Sequence, residues 1–216
     1  ILNKQSIISV DTETSSLNPL EANLVGISFS YAPNKACYIP LAHKNIKGLK
    51  RELVLKKIKP ILEDTSIKKV GQNIKFDFII LKANGIEINP VEDTMLISYT
   101  LDAGTNRHNL DLLSEIHLNH KTISYKELVG SGKNKLNFSD IDIDKATEYA
   151  AEDADVTLRL YNYLKERLDN EKLNKIYESF EKPMIKLLST LEFNGIKVDD
   201  LYLKKLSKKF EEKLKK

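Results

Sequence analysis

Residues 6–15 of the chain read SIISVDTETS, an apolar run that ends in two carboxylates. The alternation from Ile7 to Val10 predicts a buried strand. Side chains two apart on a strand point to the same face, so Asp11 and Glu13 are predicted to project together from the end of a core strand. Two adjacent anions are unfavourable unless a cation lies between them. Taken alone, such a pair is more often a solvated strand end, and further acidic motifs decide between the two interpretations.

A second acidic motif reads KVGQNIKFD at positions 69–77. Val70 ends a short predicted strand, and after a glycine turn Asn73 is a predicted N-cap for a helix that ends at Asn84–Gly85. Asp77 then lies one turn into that helix. An aspartate at that position is as often only a partner of the helix dipole, so this motif by itself leaves both interpretations open.

A third motif reads EYAAEDADVT at positions 148–157, inside a strongly amphipathic helical pattern. Tyr149 and Asp153 are four residues apart and share one face of that helix. Glu152 and Asp155 lie on other faces and are predicted to be solvated. The structural alternative is a tyrosine packed at a helix edge beside an aspartate in water.

Together the three motifs resemble the 3′–5′ exonuclease domain of bacterial DNA polymerase I. This Klenow-type proofreading module belongs to a four-carboxylate exonuclease superfamily, in the variant with a tyrosine in its third motif. The linking segments 23–29, 93–99, 107–111 and 130–134 are also similar to the family, so the resemblance runs from about Ile7 to about Leu168. It implies an α/β fold of the ribonuclease H-like type, with a mixed central sheet flanked by helices.

The resemblance implies a catalytic set that binds two divalent metal ions, Mg²⁺ or Mn²⁺. Hydrolysis of a phosphodiester places charge on the attacking and leaving oxygens, which two dications about 4 Å apart can stabilise. Hard cations prefer carboxylate oxygens, and four carboxylates balance two dications. Asp11, Glu13 and Asp153 are implied to hold the first ion. Asp11 and partly Asp77 would hold the second, and Tyr149 would orient the attacking water.

Six further residues are predicted to contact the substrate, the single-stranded 3′ end of DNA: Leu17, Gln72, Asn73, Phe76, Arg107 and Tyr125. In the family a leucine at the position of Leu17 wedges against the terminal bases, and aromatic rings such as Phe76 and Tyr125 can stack on bases or sugars. Core packing is the alternative role for these apolar residues. Phe76 departs from the family pattern, in which a tyrosine precedes the motif-two aspartate. Further candidates for contacts with the DNA backbone are His108, Lys121, Lys133 and Lys135, although for each of them solvated surface charge is the more common role.

Composition is consistent with one globular domain. The chain has 216 residues, of which 41% are hydrophobic, and a net charge of only +3. That charge argues against a general polyanion binder and suits a site for a few nucleotides beside an acidic cluster. The single cysteine, Cys37, is predicted to be a buried small hydrophobe. Without a membrane-length apolar stretch or a signal-peptide pattern, we expect a cytoplasmic, nucleoid-associated monomer with no membrane partner.

The predicted elements alternate between strands and helices. The strands are Ile7–Val10, Leu24–Tyr31, Ala36–Ile39 and Lys68–Gly71, and the helices include Glu52–Glu63, Met95–Leu101, Leu110–Ile116 and one that ends near Leu168. Residues 1–178 are interpreted as the exonuclease domain and residues 179–216 as the helical start of the family's polymerase domain. A chain that starts at Ile1 without a methionine is expected to be part of a longer polymerase, whose own polymerase domain would be its partner.

Two alternatives stay open. The first is a catalytically silent DNA-binding scaffold domain of the polymerase, although all four acids and Tyr149 are present. The second is a ribonuclease D-like exonuclease that trims RNA. The linking segments and the polymerase-like C-terminal tail argue against it, and a comparison of DNA with RNA substrates would decide.

Overall fold

A five-stranded mixed sheet forms the centre of the computed structural model, which describes residues 1–44, 46, 49–132 and 135–215. The strand order is β3-β2-β1-β4-β5. β1, β2 and β3 are antiparallel neighbours, whereas β4 and β5 run parallel to β1. This confirms the predicted α/β class with a mixed sheet. The strands are β1 (Ile7–Thr14), β2 (Leu24–Ala32), β3 (Lys35–Pro40), β4 (Lys68–Gly71) and β5 (Val91–Asp93).

Helices flank the sheet and agree with the predicted elements to within a few residues. They are α1 (Arg51–Leu62), α2 (Ile74–Ala83), α3 (Thr94–Asp102), α4 (Leu110–Leu118), α5 (Tyr125–Val129), α6 (Ile143–Asn170), α7 (Asn174–Ile176), α8 (Lys182–Asn194) and α9 (Asp200–Leu214). β1 is longer than predicted, because its pairing with β2 continues as far as Thr14. Asp11 and Glu13 therefore lie within the central strand and not at its end.

Helix α6 lies close against β1, the strand that carries the two acids. Its N-cap residue is Asp142, whose side chain accepts hydrogen bonds from the backbone amides of Asp144 and Lys145. The small residues Ala146, Ala150 and Ala154 are fully buried on its inner face, which lets the helix approach the sheet. The hydroxyl of Ser9 on β1 donates to the carbonyl of Ala154 at 2.5 Å. The sheet and the motif-three helix are thereby held in a fixed relation to each other.

The start of α2 is held by a residue from β5. Asn73 occupies the predicted N-cap position with a left-handed φ of 58°, but its side chain makes no capping hydrogen bond. The carboxylate of Asp93 instead accepts from the amides of Asn73 and Ile74, both at 3.0 Å. The same carboxylate accepts from the Met95 amide at 2.9 Å and so caps α3 as well. Asn73 is thus the N-cap residue of α2, as predicted, while Asp93 supplies the capping hydrogen bonds.

The C-terminal segment packs on the domain only through its first part. A π-helical turn, Tyr177–Glu181, joins α7 to α8, and the predicted domain boundary at 178/179 falls inside it. Ile185 and Ser189 of α8 are buried, and Ile185 joins the core that also contains residues of α2. The residues of α9 are exposed apart from the half-buried Leu206. Within the described ranges, every helix is too short or too polar to span a lipid bilayer.

Cys37 corrects one prediction about the core. It is exposed on β3, which is an edge strand with only one neighbour, β2. The next residue, Tyr38, takes the inward position and is buried. Because successive side chains of a strand point to opposite faces, the inward turn of Tyr38 places Cys37 on the outside. The prediction that Cys37 is a buried hydrophobe is wrong.

Candidate active site

Three carboxylates from two elements meet above the central strand. Asp11 and Glu13 come from β1, and Asp153 comes from α6. One carboxylate oxygen from each lies within 4.8 Å of the other two. Glu13 is buried, whereas Asp11 and Asp153 are half-buried. The two-residue spacing on the strand and the close approach of α6 together produce this cluster, which we call the acid cluster.

Burial and mutual repulsion make the acid cluster hard to ionise fully without a cation. Burial raises the pKa of Asp11 to about 6. The pKa of Glu13 is raised well above its ordinary value by burial and then by the charges of Asp11, Asp153 and Asp77. Burial and Asp11 also raise the pKa of Asp153. A divalent cation would reverse this repulsion, since opposite charge within a few ångströms favours the ionised form.

Asp77 lies beside the acid cluster but is held by a neighbour on β1. Its Oδ1 atom accepts two hydrogen bonds from Thr12, one from the backbone amide at 2.8 Å and one from the hydroxyl at 2.6 Å. Its side chain is buried, and burial and the charge of Asp11 raise its pKa. The three mutually close carboxylates do not include Asp77, so the structure brings together three of the four predicted metal ligands and places the fourth next to them.

Tyr149 stands on α6 one turn before Asp153, at the wall of the same cavity. Its ring packs against those of Tyr125 and Phe138, with centroids 5.9 and 6.1 Å away. Burial, and then the charge of Asp153, raise the pKa of its hydroxyl above the ordinary value. The hydroxyl therefore stays protonated at neutral pH and can donate a hydrogen bond toward the acid cluster.

An open cavity of about 510 Å³ leads to the acid cluster. Three of the six predicted substrate contacts line it, namely Leu17, Phe76 and Tyr125. Leu17 is 84% exposed, so it has no core-packing role. Lys135 is the one cation among the described residues that line the cavity, and its ammonium lies 5.5 Å from the centre of the Tyr125 ring. The cavity thus combines an acidic floor with an aromatic and apolar wall.

The other three predicted contacts lie outside this cavity. Gln72 donates to the carbonyl of His108 at 2.7 Å and accepts from the hydroxyl of Thr94 at 2.5 Å, so its amide is engaged within the protein. Asn73 lines a separate groove between the start of α2 and α8. Arg107 is exposed beside His108 in another surface pocket. Lys133, part of the segment 130–134, lies outside the described residues.

Two acids of α6 that were predicted to be solvated are instead bound by other parts of the chain. Glu152 accepts from the amide of Ile123 at 2.6 Å and pairs with the ring nitrogen Nε2 of His120 at 2.8 Å. Asp155 is buried and accepts from the Asn34 amide at 2.5 Å. These predictions are wrong because α6 is covered on several sides, which the helical period of a single segment does not reveal.

The donor set of the acid cluster fits a hard divalent cation. Its ligand atoms are carboxylate oxygens, which Mg²⁺ and Mn²⁺ prefer, and the cluster faces a cavity with room for water and an anionic group. A cation there would lower the carboxylate pKa values and could place a phosphate beside the Tyr149 hydroxyl.

Comparison with known proteins gives a consistent family. A family model described as 3′–5′ exonuclease matches residues 1–169. DNA polymerase I of Rhizobium leguminosarum is 45% identical over 221 aligned residues, which cover 93% of this chain and 22% of that protein. The chain spans between 22 and 24% of the first three curated relatives that it matches.

Solved structures share the fold. The polymerase domain structure of Pol1 from M. smegmatis, in complex with DNA primer-template and dNTP, superposes with a TM-score of 0.78 at 19% identity, over 98% of this chain and 32% of that one. Brucella melitensis NrnC with bound Mg²⁺ superposes with a TM-score of 0.65 at 26% identity, over 88% of this chain and 85% of that one. With the family match over most of its length, the chain belongs to the 3′–5′ exonuclease domain family of bacterial DNA polymerase I.

Proposed function

We propose that this chain is a two-metal-ion 3′–5′ exonuclease that removes 5′-mononucleotides from a single-stranded DNA 3′ end, as the proofreading module of a DNA polymerase I. The observation that carries the proposal is the acid cluster of Asp11, Glu13 and Asp153 at the floor of an open cavity. Three carboxylates held this close, one buried and two half-buried, repel one another and are typical of a site for a dication.

The proposed ions are Mg²⁺ or Mn²⁺, with Asp11, Glu13 and Asp153 as ligands of one and Asp11 with Asp77 as ligands of the other. The Mg²⁺ bound by NrnC, a 26% identical neighbour, supports the choice of metal. When bound, two such ions supply an activated water and stabilise charge on the departing 3′ oxygen. Tyr149 would hold that water by a hydrogen bond, because its hydroxyl stays protonated.

The cavity wall is proposed to select a frayed single strand. Its volume of about 510 Å³ suits a small ligand such as a terminal nucleotide and not a duplex. The exposed Leu17 would wedge against the terminal base, while Phe76 and Tyr125 would pack against bases or sugars. For Asn73 and Arg107, which lie outside the cavity, we propose contacts with nucleotides farther from the 3′ end, whereas the amide of Gln72 is already bound to His108 and Thr94.

The polymerase domain of the same longer chain is the proposed partner. We propose residues 1–178 as the exonuclease domain and residues 179–216 as the start of the polymerase domain. The curated relatives are four to five times longer than the aligned part, which supports a further domain in such chains. Exposed apolar side chains on α8 offer it a packing surface: Met184, Leu187, Leu188 and Leu191. We propose a monomer that acts at the nucleoid in the cytoplasm and that cannot extend a primer by itself.

The experiment is digestion of a 3′-labelled single-stranded DNA oligonucleotide with Mg²⁺ or Mn²⁺. Stepwise release of 5′-mononucleotides, lost with EDTA and in the double variant Asp11→Ala/Glu13→Ala, is the expected result. The matched control is Asp144→Ala/Glu148→Ala, which removes two exposed acids of α6 outside the cavity. A folded protein that binds DNA but releases nothing would favour the scaffold alternative. Faster release from RNA than from DNA would favour the ribonuclease D-like alternative.

A further inference from the structure

We propose that Glu152 is a positioning residue that fixes Tyr125 at the wall of the cavity and, through it, the terminal nucleotide of the substrate. The inference rests on the function proposed above, because it assigns Tyr125 a contact with the nucleotide. The role assigned to Glu152 is inferred from its contacts with the loop between α4 and α5, residues 119–124. It is not inferred from the fact that Glu152 precedes Asp153.

Both carboxylate oxygens of Glu152 are occupied by this loop. Oε2 accepts from the Ile123 amide at 2.6 Å, and Oε1 pairs with His120 Nε2 at 2.8 Å. The two side chains are 18% and 33% exposed, so the pair is partly shielded from water. Hydrogen bonds to an ionised acceptor are about twice as strong as neutral ones, which makes Glu152 a two-point clamp on the loop.

The loop is also tied to α4, at His120 and Thr122. The hydroxyl of Ser114 donates to the carbonyl of His120 at 2.7 Å. The hydroxyl of Thr122 donates to Asp111 at 2.8 Å, and Thr122 is buried. The loop is thus fixed to α4 by its own polar groups and to α6 by Glu152, so loss of Glu152 would release it from the helix that carries the acid cluster.

Tyr125 follows the clamped residue Ile123 by two positions and begins α5. α5 has five residues, and its N-cap Ser124 makes no side-chain capping hydrogen bond. A helix this short has little stability of its own, so the loop before it sets its start. The position matters for the site, because Tyr125 lines the cavity and its ring lies 5.9 Å from that of Tyr149. A displacement of about 1 Å at a substrate contact can cost about a hundredfold in rate.

The test compares Glu152→Ala, Tyr125→Ala and the double variant on single-stranded DNA with saturating Mg²⁺. Stacking on an aromatic ring contributes about 1–3 kcal/mol per base, so Tyr125→Ala is expected to raise KM by about ten- to a hundredfold. Glu152→Ala should raise KM by roughly tenfold with kcat within about threefold, and the double variant should be no worse than Tyr125→Ala. Glu148→Ala, an exposed acid one turn earlier on α6, is the matched control.

Two further variants separate positioning from charge. Glu152→Gln keeps an oxygen that accepts from the Ile123 amide but removes the charge beside Asp153, so it is expected to restore KM to within about threefold of the parent. The proposal would be overturned if the increases in KM from Glu152→Ala and Tyr125→Ala multiplied in the double variant. It would also be overturned if Glu152→Gln raised KM as much as Glu152→Ala.

A spectroscopic readout works even if the parent protein releases no nucleotide. The chain contains no tryptophan, so Tyr125→Trp introduces a single tryptophan at the cavity wall, whose emission can be excited selectively over that of the tyrosines. Adding Glu152→Ala is expected to shift its emission to longer wavelength, whereas adding Glu148→Ala is not. Unchanged emission with Glu152→Ala would refute the positioning role, while absent hydrolysis with the expected shift would refute only the proposed function.

Discussion

Two pairs of carboxylates lie on the same sheet, Glu92 and Asp93 on β5 and Asp11 and Glu13 on β1, and they differ in the groups that surround their charges. On β5, Glu92 is 1% exposed and accepts from the Tyr177 hydroxyl at 3.0 Å and from the Lys182 ammonium at 2.8 Å. Its neighbour Asp93 accepts from three backbone amides at the starts of α2 and α3. Each of these acids is surrounded by donors that belong to the fold.

On β1 the surroundings are the opposite. The pKa of Glu13 is raised by burial and by the charges of three other acids, Asp11, Asp153 and Asp77. None of the causes of this shift is a hydrogen-bond donor. The donors around Glu92 stabilise its charge in the fold. In the acid cluster the carboxylates repel one another, and a bound cation would reduce that repulsion. Asp77 combines features of both pairs of acids. It accepts two hydrogen bonds from Thr12, and the charge of Asp11 raises its pKa.

The largest expected effect is on activity, and it is confined to the acid cluster. Glu13→Gln should lower kcat/KM on single-stranded DNA by about a thousandfold, because it removes the charge of a proposed metal ligand, and such an ion contributes several kcal/mol of transition-state stabilisation. Its unfolding free energy without metal at pH 7 should be equal to or higher than that of the parent. Glu52→Gln, at an exposed site on α1, is the control. A Glu13→Gln protein with lower stability and normal activity would show that Glu13 is a structural acid like Glu92.

The next effect is on stability, at β5. Glu92→Ala leaves the buried Tyr177 hydroxyl and the Lys182 ammonium without their shared acceptor, so the unfolding free energy should fall by about 3 kcal/mol. Urea denaturation measures this. At a temperature where the variant is folded, its kcat should stay within about fivefold of the parent. A thousandfold loss of kcat in a fully folded variant would show that Glu92 is not only structural.

The sequence predicts those features of the two groups of acids that depend on one strand or one helix alone. Strand alternation places Asp11 and Glu13 on one face, and helical spacing places Tyr149 and Asp153 on one face, so both pairs follow from local geometry. The apolar patterns likewise identify the longer helices and strands, because their periods are local properties of the chain, whereas the short elements β5, α5 and α7 are not predicted.

What the sequence does not predict depends on contacts between distant segments. Thr12 binds Asp77 across 65 positions, and Glu152 binds Ile123 across 29. Asp93 caps α2 from another strand, although an Asp-Thr pair before an apolar helix is a recognisable capping signal for its own helix, α3. Such partners are set by strand order and by packing, which no short pattern encodes.

A smaller effect concerns the pH dependence of stability without metal. The pKa of Asp11 is raised in the fold from 3.8 to about 6, so between these values the folded state binds more protons than the unfolded state. In EDTA the unfolding free energy should therefore fall by about 1–3 kcal/mol as the pH rises from about 4 to above 6. Asp11→Asn should flatten this slope, and Mg²⁺ at pH 7 should offset the loss. A stability that rises over the same range in EDTA would contradict the raised pKa of Asp11.

The smallest effect probes the intermediate acid, Asp77. Thr12→Val removes the hydroxyl that donates to Asp77 at 2.6 Å but keeps the backbone amide that donates at 2.8 Å. Loss of one such hydrogen bond should lower the unfolding free energy by about 1 kcal/mol and raise the pKa of Asp77 further. If Asp77 is a ligand of the second ion, more Mg²⁺ should be needed for half-maximal activity, with kcat at saturating Mg²⁺ changed by less than tenfold. Thr65→Val, at an exposed position, is the control. An unchanged Mg²⁺ requirement together with the expected loss of stability would place Asp77 with the structural acids of β5 and outside the metal site.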